Sequence, residues 1–392
     1  MNRFLKGAMI LTLAGIIVKI IGAFSKVLLA RILGGEGIGL YQMAYPIYQI
    51  IVSLATAGLP VAISIMIADK LAYKDIRGAS KIFRVSATVL FALGAFFSVA
   101  LFLSVPWLVE SEWLTDPRSS YALMALAPAI VVVTILSCLR GYFQGFQDML
   151  PTGASQVVEQ SLRVACMVGF ALFLLPFGLP MAAAGATLAT FPGVVGGVLV
   201  LLYFYRRQRH LRAKLLAEQA ADIIPESSWQ IMKRLFILAI PVSMANIMMP
   251  IVSGIDLGVV PQRLIDAGYS VREATTLFGY LTGMATSLVN LPIILTTSLA
   301  ASLVPAISEA YTKRDTLEIQ NRSHVALKIT TLITVPAFVG LYVLATPISE
   351  LLYATPNAGG PIAVMSLSIF LLGVQQVSTG ILQGLGHTAI PM

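Results

Sequence analysis

The stretch GAMILTLAGIIVKIIGAFSKVLLA (Gly7–Ala30) decides the fold. It holds no acid, and its only charges are Lys19 and Lys26. At ~1.5 Å per helical residue it is long enough to cross the ~30 Å of hydrocarbon in a bilayer. In lipid every backbone polar group needs a partner inside the protein, so a lone apolar run of this length must be a helix. The stretch follows a basic start, Met1–Lys6, and so looks like a secretion signal in outline. The two lysines interrupt its core and no small-x-small cleavage site follows, so we read it as a retained first helix.

Runs of the same kind recur. Ten spans are expected, at 7–30, 41–67, 85–108, 121–142, 155–175, 181–204, 232–254, 278–303, 325–345 and 361–384. Of the 392 residues 57% are hydrophobic and only 11% are charged, against roughly a quarter charged in soluble domains. A soluble fold is excluded, and the alternation of a membrane β-barrel is absent. The expected class is an all-α polytopic membrane bundle. The net charge of +8 lies between the apolar runs, so it carries topology and does not point to nucleic acid. The gaps at 68–84, 205–231 and 304–324 are basic, whereas Glu110, Glu112, Asp116 and Glu350 lie in the alternate gaps. Only Arg31, Arg118, Arg263 and Arg272 break the bias. The positive-inside rule then puts both termini in the cytoplasm of a multi-pass cell-membrane protein.

Two short echoes suggest a duplication. GLPVAIS (Gly58–Ser64) is echoed by SLVPAIS (Ser302–Ser308), and RGYFQG (Arg140–Gly145) by TGILQG (Thr379–Gly384), at nearly equal offsets. The repeating unit would be six spans. An even number makes it a parallel repeat, in a two-lobed bundle. The expected division is a six-helix lobe over 1–204, a basic linker over 205–231, and a second lobe over 232–392 with four spans. On this count the sequence is expected to be a fragment.

Charge within the spans marks candidate sites, because a lone charge in the bilayer costs ~2.5 kcal/mol or more. Lys19 is near the middle of span 1, and Lys26 follows seven residues later on the same helical face. They read as a cationic stripe facing a wet cavity, or as side chains snorkelling to the interface. Glu159 and Arg163 are spaced to pair on one face of span 5, either as a structural ion pair or as substrate contacts. Asp256, after span 7, is a candidate for ion coupling or a plain interfacial acid. Asn290, Gln375 and Gln376 can line a cavity or bond between helices. GxxxG spacing at Gly141/Gly145, Gly279/Gly283 and Gly380/Gly384 permits close helix approach. The sequence has no P-loop, H-E-x-x-H or G-x-S-x-G motif, so neither an ATPase nor a hydrolase is indicated. Cys138 and Cys166 lie inside apolar runs and the three histidines are far apart, so no metal or cofactor is expected.

LKGAMILTLAG (Leu5–Gly15), GGEGIGLYQMAYP (Gly34–Pro46), LPVAIS (Leu59–Ser64), LRGYFQGFQDMLPTGASQVVEQSLRV (Leu139–Val164) and SLVPAISE (Ser302–Glu309) resemble the stage V sporulation protein B family. That family groups with the polysaccharide-biosynthesis and lipid II flippases of the multidrug/oligosaccharidyl-lipid/polysaccharide exporter superfamily. The resemblance implies two lobes around a central cavity, alternating access, and an undecaprenyl-pyrophosphate-linked sugar as substrate. It implies a transporter and not an enzyme, with membrane lipids and the cell-wall synthesis machinery as partners. In the related lipid II flippases, basic residues of spans 1, 2 and 8 line the cavity. Lys19 matches the first, but the comparable parts of spans 2 and 8 have no basic residue, so another undecaprenyl-linked glycan stays open. The rival expectations are a multidrug or cation antiporter of the same superfamily, which needs buried acids, and a non-transporting cell-wall assembly partner.

Overall fold

The computed structural model describes residues 3–56, 58–208 and 226–387. Thirteen helices are named here: α1 (Arg3–Thr56), α2 (Leu59–Ala72), α3 (Ile76–Glu110), α4 (Ser120–Gly145), α5 (Met149–Leu174), α6 (Leu179–Leu188), α7 (Thr190–Arg207), α8 (Ser228–Asp266), α9 (Val271–Phe278), α10 (Thr286–Thr312), α11 (Thr316–Val343), α12 (Ala345–Tyr353) and α13 (Gly359–Gly384). A π-helical segment, Gly279–Ala285, joins α9 to α10. Among the described residues eight helical stretches are long and apolar enough to cross a membrane, or nine with a bent one. The protein is therefore an all-α polytopic membrane bundle. Most of the expected linker, 209–225, lies outside the described residues.

The count of ten differs because expected spans 1 and 2 share one stretch, Met9–Ala72. Gly34, at φ 64°, turns the chain inside α1, where a longer loop was expected. A second break at Gly58, at φ 72°, divides span 2 and starts α2. That glycine has a steric reason, since a Cβ there would lie 2.2 Å from the carbonyl oxygen of Ala239. Expected span 7 ended at 254, but the helix runs on to Asp266 and bends by 47° between Met244 and Asn246. Pro241 and Pro250 lie on either side of that bend, and each removes a backbone hydrogen bond. Asp256 is consequently inside α8 and not beyond its end. Two of the expected basic gaps, 68–84 and 304–324, shrink to tight turns. α2 ends at Ala72 and α3 starts at Ile76, capped by Asp75, which accepts from Gly78 N at 2.7 Å.

The chain forms two compact units. Unit 1 is Met1–Ser25 with Glu36–Thr276, and unit 2 is Lys26–Gly35 with Leu277–Met392. In unit 1, α4 lies against α2 with Gly145 on Ile67 and Gly141 on Pro60. Gly94 of α3 leaves room for Thr134 of α4. Around these contacts packs a core that includes Ile63, Ile67, Leu139 and Phe143. In unit 2, α13 lies against α10 with Gly384 on Ile307 and Gly380 on Ala300, and Gly373 of α13 leaves room for Thr334 of α11. Asp315 caps α11, accepting from Glu318 N at 2.9 Å.

The four basic residues that break the charge bias each have a local partner. Arg118 pairs with Glu36 and Asp116, both at 2.7 Å, and Arg272 pairs with Glu36 at 2.7 Å. Arg263 pairs with Asp266 at 3.2 Å. Arg31 donates to the carbonyls of Leu351 and Leu352 at the end of α12.

These glycine contacts give a test. A Cβ on Gly145 would stand 2.8 Å from Ile67 Cβ, whereas a Cβ on Gly169 meets nothing within 4 Å. Gly145→Ala should destabilise the protein by ~1–3 kcal/mol through overpacking. Gly169→Ala should be neutral or slightly stabilising, because alanine is the better helix former. Thermal unfolding in detergent checks the opposite signs, and equal melting temperatures would refute the close approach.

Candidate functional site

Three charged side chains meet inside unit 1. Glu159 and Arg163 sit one turn apart on α5, and Arg140 reaches them from the end of α4. Arg163 Nη2 lies 2.5 Å from Glu159 Oε1, and Arg140 Nη2 lies 2.7 Å from Glu159 Oε2. Arg140 Nε also donates to Ser155 Oγ at 3.1 Å. The expected pairing of Glu159 with Arg163 is present, but one carboxylate serves two guanidinium groups. The cluster therefore carries one positive charge in excess. Arg163 Nε is buried and has no hydrogen-bond partner among the described residues.

Two features missed in the sequence hold the cluster. Gly193 and Gly197 of α7 lie against α5. A Cβ at Gly193 would stand 2.8 Å from Arg163 Cβ, and one at Gly197 would stand 3.4 Å from Glu159 Cβ. They have GxxxG spacing, so the signal existed but was applied elsewhere. The second feature is a ladder of phenols on α1. Tyr41 stacks on Tyr45 at 5.4 Å, and Tyr45 meets Tyr48 at 5.8 Å. All three lie within electrostatic reach of Arg163. Their spacing of three to four residues puts them on one helical face.

Unit 2 has a different, uncharged site. A cavity of ≈ 320 Å³ lies between α10 and α13, lined by residues that include Thr297, Gln375, Gln376, Thr379 and Gln383. Gln376 Oε1 accepts from Thr296 Oγ1 at 3.0 Å and from Thr297 Oγ1 at 2.8 Å. Those bonds orient its amide, so that Gln376 both ties two helices together and lines a cavity.

The remaining sequence candidates are not among the residues bonded in the charged cluster or lining the cavity. Lys19 and Lys26 are exposed on α1 before its turn at Gly34. Lys19 is followed by Ile20, also exposed, while Ala14 and Gly22 face α5. Asn290 is exposed on α10 and does not line the unit 2 cavity. Asp256 is exposed on α8.

Comparison with known proteins completes the picture. The model of the family described as "Polysaccharide biosynthesis protein" matches residues 4–311. The chain belongs to the polysaccharide biosynthesis protein family. A second family model, "Lipid II flippase MurJ", matches residues 277–380. Stage V sporulation protein B of Bacillus subtilis (strain 168) is 32% identical, over 100% of this chain and 74% of that protein. Lipid II flippase MurJ of the same organism is 27% identical, over 98% of this chain and 73% of its own length. A multidrug resistance MATE family transporter of the MOP superfamily, solved in an inward-facing conformation, shares the fold with a TM-score of 0.72 and 18% identity. That match covers 95% of this chain and 82% of the transporter. The second family model and the 27%-identical relative are named as flippases, and the solved structure as a transporter.

The shared carboxylate gives the second prediction. Glu159→Ala leaves two half-buried guanidinium groups without their shared partner and should destabilise by about 1–3 kcal/mol. Arg140→Met leaves Glu159 paired with Arg163 and should be milder. Thermal unfolding of both variants in detergent checks the order, and equal losses would mean that the carboxylate is not shared.

Proposed function

We propose that this polysaccharide biosynthesis family member is a secondary transporter that moves a lipid-linked substrate across the membrane by alternating access. The finer reading is a flippase for an undecaprenyl-pyrophosphate-linked sugar, a precursor of cell wall or polysaccharide. The observation that carries it is the sign of the charge. The cluster on α4 and α5 is net cationic, and Lys19 and Lys26 add further cations on α1. A pyrophosphate headgroup needs cations, and a cation exporter needs unpaired acids. In this reading Lys19 and Lys26 face the path of the headgroup, and the tail stays in lipid. Asn290, Gln375 and Gln376 contact the sugar, and Asp256 is the candidate coupling group. The membrane potential is one energy source, worth ~2.3 kcal/mol per charge per 100 mV. Both termini are cytoplasmic, and the cell-wall synthesis machinery supplies the substrate.

The two-lobed parallel repeat is part of the same proposal, with lobes over 1–204 and 232–392 joined by the linker 205–231. Its support is that the same contacts recur at offsets near 240. Gly145 on Ile67 matches Gly384 on Ile307, and the Asp75 cap matches the Asp315 cap. Gly94 facing Thr134 matches Thr334 facing Gly373, with glycine and threonine exchanged. Sequence duplication and spatial grouping divide the chain at different points, the first at the linker and the second at Thr276.

A second reading is a multidrug or cation antiporter. The similar solved structures favour it, since the one with a TM-score of 0.72 is a multidrug transporter. Reconstituted vesicles separate the two. The flippase reading expects transfer of a fluorescent lipid-linked sugar, at least ~10-fold loss in Lys19→Glu from charge reversal in the path, and no ethidium export. Ethidium export that is unchanged in Lys19→Glu would establish the antiporter and sink the flippase.

A further inference from the structure

We infer that Arg140 and Arg163 form an oxyanion subsite inside unit 1, filled in the unloaded protein by the Glu159 carboxylate and taken over by a phosphate group of the ligand. The inference rests on the reading of the substrate as an anionic lipid-linked headgroup. Glu159 is then an internal counter-anion, and not only a structural brace.

The geometry supports this in three ways. First, the two carboxylate oxygens are divided, one to each arginine, at 2.5 and 2.7 Å. Two oxygens of a phosphate can bridge the same pair of guanidinium groups, and its further oxygens can reach more donors. Second, donors are left over. Each guanidinium has five N–H groups. Arg163 Nε is buried without a partner, and among the described residues neither arginine donates from Nη1. A carboxylate with two oxygens cannot fill that set. Third, the cluster is not sealed. The side chains of Arg140, Glu159 and Arg163 retain 20%, 14% and 22% of their exposure, enough for a ligand atom to reach them.

The surroundings suit a phosphorylated sugar. Tyr41, Tyr45 and Tyr48 add hydroxyl groups within electrostatic reach of Arg163, and Tyr41 and Tyr45 are stacked and half-buried. Aromatic faces with a polar edge suit a ring that is apolar on its C–H face and polar at its rim. Gly193 and Gly197 bring α7 against α5 at both Arg163 and Glu159. Exchange needs the Glu159 carboxylate to swing away from the two guanidinium groups.

The consequence has an unusual sign. Removing the negative charge of Glu159 should strengthen anion binding, whereas a structural ion pair would only lose stability. The measurement is calorimetric titration of inorganic pyrophosphate into the purified protein in detergent. Glu159→Gln should bind about 10-fold or more tightly, the size of charge-assisted hydrogen bonds set free. Arg163→Gln should lose binding by a similar factor. An affinity unchanged or weakened in a folded Glu159→Gln variant overturns the subsite. Should that variant not fold, Glu159→Asp draws the carboxylate back from both arginines with its charge kept. Several-fold tighter binding is then expected, and unchanged binding again overturns the proposal.

Further titrations identify the source of the phosphate. Gain of affinity in the variant for a short-chain polyprenyl diphosphate, and not for phosphatidylglycerol, assigns the subsite to the transported headgroup. Gain for phosphatidylglycerol alone assigns it to bulk lipid and overturns the substrate assignment. Vesicle flipping separates this inference from the function it rests on. A protein that flips lipid-linked sugar while its pyrophosphate affinity ignores positions 159 and 163 keeps the function and loses the subsite. A protein with the expected titrations and no flipping loses the function and keeps an anion site.

Discussion

Taking a charge out of water into hydrocarbon costs ~2.5 kcal/mol or more, and Arg140, Glu159 and Arg163 are three half-buried charges on two neighbouring apolar helices. Their arrangement follows from that cost. Each guanidinium is paired, and the one carboxylate is bonded at both oxygens. The pairing in turn fixes what surrounds it. α4 and α5 must come close enough for Arg140 to reach across to Glu159 and Ser155. α7 must pass behind without a side chain, which accounts for Gly193 and Gly197. Packing and charge thus meet at the same point, where glycines stand because a Cβ would push α7 away from α5.

The same cost explains the outlying arginines. A topology rule based on counting cannot say why Arg118 and Arg272 stand where acids dominate. The structure supplies the reason: both are drawn to Glu36, and Arg118 also to Asp116, which further accepts from Thr275. Each of these arginines is thus held in place by an ion pair with a nearby acid. Gly39 lets the start of α9 settle at this hub, since a Cβ there would lie 2.0 Å from the carbonyl oxygen of Thr275.

Much of the fold was legible because it rests on length and polarity. Apolar runs such as Gly7–Ala30 announce themselves, and helices follow from the absence of water. The failures lie where local backbone decides. Gly34 falls in the expected gap between spans 1 and 2 but turns the chain within a residue or two, and the turn at Gly58 does not interrupt the apolar run enough to mark a boundary. α8 runs past its expected end because prolines bend a membrane helix without stopping it. At the site, the spacing of Glu159 and Arg163 was readable because both lie on one helix. Arg140 was read only as part of the RGYFQG echo, because its partner comes from a different helix and no sequence spacing links them. The three tyrosines were readable as a face, but nothing in a single sequence says which arginine the face meets.

Close packing within each unit bears on the proposed transport cycle. A transporter that alternates between faces needs parts that move as bodies, and a body is stiff when its helices touch backbone to backbone. The contacts of Gly141 with Pro60 and of Gly380 with Ala300 are of that kind, each near 3 Å for an added Cβ. The exchange of glycine and threonine between Gly94/Thr134 and Thr334/Gly373 shows what such a contact requires. One helix must give up its side chain and the other must fill the space, but which one does so is free. A sequence comparison scores that exchange as two mismatches, whereas the packing treats it as the same joint. In the proposed repeat, the joints would be kept while the resemblance is lost, in keeping with echoes only a few residues long.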